Sequence, residues 1–213
     1  MTTTAKLISI TPNAEETIAY CARVSNPSNQ DNHQTVDRLL AYCVKHGHWS
    51  VFEMANLVIE INTTRAISPQ ILRHRSFSFQ EFSQRYASTL EGLGGIDLPH
   101  LRRQDYKNRQ ASHDDLSVES TQLFYRRIAQ HFAEAEDLYH EMLSKGVAKE
   151  CAREVLPLAC PTRLYMNGTV RSWIHYVQLR TTEGTQLEHR KIAEDIKQIL
   201  IKELPAVSRA LDW

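Results

Sequence analysis

The residues best equipped for chemistry lie between Arg73 and Tyr86, in the run Arg-His-Arg-Ser-Phe-Ser-Phe-Gln-Glu-Phe-Ser-Gln-Arg-Tyr. Arg73, Arg75 and Arg85 gather with His74 among hydroxyl and amide side chains, one acid, Glu81, and three phenylalanines. Guanidinium groups this close repel one another unless an anion sits among them, and the planar fork of arginine matches a phosphate. The aromatic residues offer flat surfaces to a ring. The set therefore suits a phosphorylated, ring-bearing small molecule. The ordinary reading of arginine-rich sequence is a solvated helix face or a loose nucleic-acid patch. Here, however, the charges alternate with bulky apolar residues. The 25 Lys+Arg also balance 25 Asp+Glu over the chain, where a nucleic-acid binder usually carries a basic excess.

Arg153, Arg171 and Arg180 add further cations able to serve anionic groups. Carboxylates are too sparse in the stretch for a two-carboxylate hydrolase. Ser83 has no base placed for it by the sequence and reads as a hydrogen-bonding residue, not a nucleophile. Cys21, Cys43, Cys151 and Cys160 form no C-x-x-C pair and read as reduced and mostly buried. His46-Gly47-His48 lacks the further ligands that a metal needs, so no metal site is expected. The 7 glycines form neither a phosphate loop nor a dinucleotide fingerprint. With no acid pair, metal cluster or activated nucleophile, a bound organic cofactor is the economical source of hard chemistry. The protein then contributes positioning and electrostatics.

The elements that must position these groups follow from periodicity and punctuation. A strand is expected over Lys6–Ile10, then a helix capped by Thr11-Pro12 and running to about Ala22. A polar loop spans Arg23–Asn32, and a second helix covers His33–His46 with Gly47 as its left-handed stop. Leu57, Ile59 and Ile61 alternate along a strand over Asn56–Asn62. Thr64–Arg73 has helical character, which Pro69 either kinks or restarts, and its one face delivers Gln70 with Arg73 or His74. Glu91–Asp115 reads as loop. Leu116–Ser144 is the clearest helix, with an apolar stripe of Phe124, Ile128, Phe132, Ala135, Tyr139 and Met142 whose length suits a subunit interface. A short helix over Ala148–Leu156 carries Arg153, a strand covers Thr162–Met166, and a helix over Val170–Leu179 puts Arg171 and His175 on one face. The last helix spans Thr185–Glu203. No linker divides the 213 residues, so a single domain over 1–213 is expected. No apolar run is long enough for a bilayer and the N-terminus lacks a signal-peptide layout. A cytoplasmic protein with no membrane partner is therefore expected.

Arg73-His74-Arg75, seven residues, then Ser83-Gln84-Arg85 resembles the signature of the flavin-dependent thymidylate synthases. Ala22-Arg23-Val24-Ser25, Lys45-His46-Gly47-His48 with Phe52-Glu53, Glu150–Leu158, Arg171-Ser172 and Leu179-Arg180 look like family landmarks in family order. The resemblance implies an α+β fold, a central mostly antiparallel sheet flanked by helices, in a homotetramer with shared active sites. It implies reductive methylation of dUMP to dTMP. The carbon would come from 5,10-methylenetetrahydrofolate and the hydride from FAD reduced by NADPH, with no enzyme cysteine attached to the uracil. By similarity, Arg73, His74, Arg75, Arg171 and His175 contact FAD, Glu81 lies near both flavin and nucleotide, and Ser50 reaches the flavin from another subunit beside His48 and Glu53. Gln70, Arg73, Ser83, Gln84, Arg85 and Arg153 resemble the dUMP site, and Arg180 resembles the catalytic residue that binds the uracil and favours its ionised N3 form. Gln80, Thr169 and His175 depart from the pattern, standing where asparagine can occur. The partners implied are dUMP and folate, not nucleic acid. The alternative from residues alone is an RNA-binding module that uses the arginine-rich aromatic loop.

Overall fold

The computed structural model describes residues 3–213. It opens with β1 (Thr4–Ile10) and α1 (Ala14–Ala22). Thr11 does not cap that helix. Its N–H donates to the Asn56 carbonyl at 3.0 Å and its hydroxyl accepts from the Asn56 N–H at 2.9 Å, so it ties the end of β1 to a strand much later in the chain. Asn13, in the left-handed region at φ 47°, turns the chain into α1 instead.

The expected second helix divides into a 3-10 turn over His33–Thr35 and α2 (Val36–Lys45), and Gly47 leaves it at φ 68° as its position suggests. A 3-10 turn over Trp49–Glu53, hidden in the sequence, carries Ser50. In β2 (Asn56–Thr64), Leu57, Ile59 and Ile61 are fully buried, the result of period-two alternation against a covered face. Pro69 restarts the chain: α3 (Ser68–Ile71) is one turn, with proline where its missing N–H is tolerated. The helix expected over Thr64–Arg73 is thus the end of β2, a turn and this short piece.

The middle of the signature is a strand, β3 (Ser78–Glu81), followed by α4 (Thr89–Leu93). The expected loop also contains a small ribbon of β4 (Arg103–Gln104) and β5 (Ser112–His113). Ser117 caps α5 (Val118–Ser144) by accepting from the Ser120 N–H at 3.2 Å. Then come α6 (Lys149–Ala152), β6 (Pro161–Thr169), α7 (Val170–Arg180), α8 (Leu187–Glu203) and α9 (Pro205–Ala210).

The main sheet has the order β1-β2-β6-β3 and every pairing is antiparallel. β6 lies between β2 and β3, with Ile59 opposite Met166 and Glu81 opposite Leu164. One core joins Ile18, Leu40, the inner residues of β2 and β6, Trp173 and Tyr176 of α7, and Ile192 and Ile196 of α8. Burying each large side chain there contributes about 1.5–3 kcal/mol. The α5 stripe lies outside this core cluster. Phe132, Ala135 and Tyr139 are buried, but Phe124 is 45% exposed, and Val118, Leu123 and Leu138 are exposed beside it. Among the described residues, no helix is long and apolar enough to cross a membrane.

Candidate active site

β6 runs into α7 without a loop, because Thr169 ends the strand and caps the helix, its Oγ1 accepting from the Ser172 N–H at 3.2 Å. This fixes α7 against the sheet and so fixes its polar side chains. Trp173, Ile174, Tyr176 and Val177 face the core, Arg171 and His175 are exposed, and Arg180 ends the helix half-buried.

Arg180 Nε donates to His74 Nε2 at 2.9 Å. His74 is 9% exposed and packs edge-on against Tyr176 at 4.8 Å between ring centroids. Burial, and then the neighbouring charges of Arg180 and His175, hold its imidazole down to about 4. The ring is neutral at pH 7, and since Nε2 accepts, its proton sits on Nδ1. Neither terminal nitrogen of Arg180 has a partner among the described residues. The outcome is a cation of fixed direction with a forked donor pair left for a ligand.

Glu81 is held by one oxygen. Its Oε1 accepts from Ser68 Oγ at 2.6 Å and Thr162 Oγ1 at 2.9 Å, and lies 3.0 Å from Arg65 Nη1. Arg65 Nη2 donates to the Phe82 carbonyl at 2.6 Å, which locks the guanidinium across the end of β3. The second carboxylate oxygen has no donor among the described residues. Arg65, Ser68 and Thr162 were not visible as site residues, because they meet only once β3 and β2 pair with β6.

Ser83 and Arg85 line a depression of about 290 Å³ with Tyr86 and Lys149, where Arg85 Nε donates to Glu150 at 2.9 Å. Arg153 lines a neighbouring one of about 320 Å³ with Arg65 and Leu158. Gln84 lines the same depression as Arg153. Its side chain is buried, and the amide donates to Thr89 Oγ1 at 3.0 Å and Cys160 Sγ at 3.6 Å. Burial raises the Cys160 thiol, which leaves it a packed group and not a ready thiolate.

Arg171 is paired with Glu53, and with Trp49, Ser76 and His175 they line a depression of about 450 Å³. Ser50 is exposed on the same 3-10 turn as Glu53. Arg73 and Arg75 are exposed and have no hydrogen bond or ion pair among the described residues. His46 and His48 pack their rings around Tyr42. Gln70 donates through Nε2 to Gln186 Oε1 at 2.8 Å. Within the chain, therefore, the candidate residues form several groups: Gln70, His74 and Arg180; Arg171 and His175; Ser83 and Arg85; Gln84 and Arg153. They do not converge on one cavity.

The chain thus sets an arginine–imidazole pair and several exposed arginines on an antiparallel α+β frame, with no metal cluster among the described residues. Residues 6–206 match the family model described as thymidylate synthase complementing protein. A flavin-dependent thymidylate synthase from Synechocystis is 51% identical over 93% of this chain and 90% of its own. A protein of Paramecium bursaria Chlorella virus 1 named "probable flavin-dependent thymidylate synthase" is 51% identical over 98% and 99%, and the flavin-dependent thymidylate synthase of Thermus thermophilus is 31% identical over 93% and 72%. The chain belongs to the thymidylate synthase complementing protein family. Its fold is shared with PolB, a UMP/dUMP methylase from Streptomyces cacaoi solved with 5-Br dUMP, at TM-score 0.85 and 23% identity over 99% of this chain and 94% of that one.

Proposed function

We propose that this chain is a flavin-dependent thymidylate synthase that methylates dUMP to dTMP, with FAD as its cofactor, NADPH as reductant and 5,10-methylenetetrahydrofolate as carbon donor. The observation that carries the reading is the Arg180–His74 pair, a directed cation beside a neutral ring, in a chain of this family.

The residues present fit a flavin dinucleotide. Arg73 and Arg75 are exposed cations without partners among the described residues, suited to a diphosphate. Arg171 and His175, which line one depression with Trp49, offer polar contacts and an aromatic edge for the rest of the molecule, and Ser50 is exposed on the same turn as Trp49. FAD, when bound, supplies the hydride chemistry that side chains lack. Arg180 has the protein's share of the reaction: its free guanidinium nitrogens stabilise negative charge on the uracil at N3, which raises the nucleophilicity of the ring. His74 holds that guanidinium without adding a charge of its own. Gln70, Ser83 and Gln84 contact the nucleotide. Arg85 and Arg153 meet its phosphate, and Glu81 offers its free oxygen between the two ligands. Engaging Arg85 means releasing Glu150, a cost of about 0–1 kcal/mol for a pair this exposed.

The separate groups of site residues are reconciled if subunits share their sites, as in a homotetramer. The exposed Phe124 face of α5 supports such an interface. The test is a visible spectrum of the FAD-loaded protein during anaerobic reduction by NADPH, with and without dUMP, followed by an assay for dTMP. Faster bleaching with dUMP and dTMP formation are expected. A folded protein that neither retains flavin nor forms dTMP overturns the proposal.

A further inference from the structure

We infer that His189 is a positioning residue: it fixes the amide of Gln70 through a directed chain of hydrogen bonds running from Tyr176 to the Arg102–Glu188 ion pair. The inference rests on the reading of Gln70 as a substrate contact.

Donor and acceptor chemistry sets each link. Arginine can only donate and a carboxylate only accept. Arg102 grips Glu188 with two nitrogens, Nη1 to Oε1 at 2.6 Å and Nη2 to Oε2 at 3.0 Å. Gln186 Nε2 donates to Glu188 Oε2 at 3.0 Å, which turns the Gln186 oxygen the other way. That oxygen accepts from Gln70 Nε2 at 2.8 Å. Gln70 Oε1 is then aimed inward, 3.4 Å from His189 Nδ1. Because this oxygen only accepts, the imidazole proton must be on Nδ1. Nε2 is left bare and accepts the Tyr176 hydroxyl proton at 3.0 Å. A flipped Gln70 amide would set an acceptor against an acceptor at Gln186 Oε1, and at His189 it would be met only if the imidazole proton moved to Nε2 and the Tyr176 hydroxyl turned from donor to acceptor. The chain therefore selects one orientation, in which Gln70 keeps one N–H for an acceptor on the ligand, such as a pyrimidine carbonyl.

The surroundings make the arrangement stable. His189 is fully buried, and burial, followed by the charges of Arg180 and His74, holds it down to about 3. The ring therefore stays neutral over neutral pH, with one nitrogen to donate and one to accept. Burial raises the Tyr176 phenol, so the hydroxyl keeps its proton. Gln70 has need of such support, since α3 is a single turn with little order of its own. Both ring nitrogens are used, as burial demands, and one of them reaches a proposed substrate contact.

The test is steady-state kinetics of the FAD-loaded enzyme with dUMP varied, alongside ¹⁵N NMR of the imidazoles. His189→Leu should raise KM for dUMP by about tenfold, the cost of one mispositioned hydrogen bond, with kcat little changed. His189→Asn puts an N–H where Nδ1–H stands and should restore most of that loss, and the NMR spectrum should show His189 protonated at Nδ1. In a Gln70→Ala background, His189→Leu should add nothing to KM. If Gln70→Ala alone leaves KM unchanged, Gln70 is not a substrate contact and the premise fails. If Gln70→Ala raises KM but His189→Leu does not, or if NMR places the proton on Nε2, the positioning role is overturned. The NMR result stands even if His189→Leu fails to fold.

Discussion

Replacing Gly168 with alanine puts a methyl group into the aromatic cluster beneath the signature. A Cβ at this β6 position, opposite Leu57, would lie 2.3 Å from Phe77 Cδ1 and 2.5 Å from Cε1. Carbon atoms pack at about 3.5–4.0 Å, so the ring must retreat by roughly 1 Å or more. It has nowhere easy to go. Phe77 meets Trp173 edge-on at 4.7 Å and Tyr176 at 6.1 Å, and both of those rings are fully buried. His74 lies on the same cluster at 6.4 Å, so a displaced ring also presses on the partner of Arg180. Over-packing of this kind costs about 1–3 kcal/mol. For a chain of this size that lowers Tm by about 2–12 °C. Calorimetric melts of Gly168→Ala against Gly184→Ala measure it, because a Cβ at Gly184 has no heavy atom within 4 Å and should be silent. Phe77→Leu, combined with Gly168→Ala, should recover part of the loss as a coupling energy between neighbours. A Gly168→Ala protein that melts with the parent would refute the wedge of Phe77 against this glycine.

Three further outcomes are expected. His74 and His189 titrate at about 4 and about 3 when folded, against 6.5 for free imidazole, so between those values the unfolded chain binds more protons. Stability is therefore full above about pH 6.5 and falls as the pH drops, by on the order of 2 kcal/mol per histidine between pH 7 and 5, and urea midpoints of the parent and His189→Asn should diverge over that window. Arg180→Ala should cut kcat/KM by about 100-fold with FAD retained, and NMR titration should find His74 above its present value of about 4 once the neighbouring cation is gone; loss of flavin with unimpaired turnover would contradict the role given to Arg180. Arg65→Gln should lower kcat by about tenfold by loosening Glu81, with Arg65→Lys failing to rescue, because one ammonium cannot bridge both Glu81 and the Phe82 carbonyl; single-turnover rates check this.

What was legible in the sequence depended on how local its cause was. The alternation of Leu57, Ile59 and Ile61 declares β2, and Gly47 declares its own left-handed stop. β3 was illegible because Ser78–Glu81 is a polar edge strand whose only reason to extend is β6, some 85 residues away. Thr11 looked like a cap because its true partner, Asn56, lies 45 residues on. The Arg73–Arg85 signature marked the neighbourhood of the site, yet it could not show that the Gln84 side chain is buried, or that Arg65 and Thr162 meet at Glu81. His189 did leave a signal. It stands three, four and seven residues before Ile192, Ala193 and Ile196, squarely on the buried stripe of α8, and a polar ring on such a stripe implies polar partners waiting in the core.

The place of β6 between β2 and β3 also dictates when this molecule can become itself. Residues 56–64 must wait for residues 161–169 to emerge before their second edge is covered, and the signature strand waits with them. Closing loops this long is slow, because the chain loses its freedom before any contact rewards it. During synthesis the nascent chain thus holds two unpaired strand edges and an unfinished core until more than three-quarters of it has left the ribosome. Arg180 and His189, which complete the Arg180–His74 and Gln70–His189 contacts, come later still. Competence arrives in one late event, and any chain cut short before β6 is not a weaker enzyme but an aggregation-prone fragment with open edges.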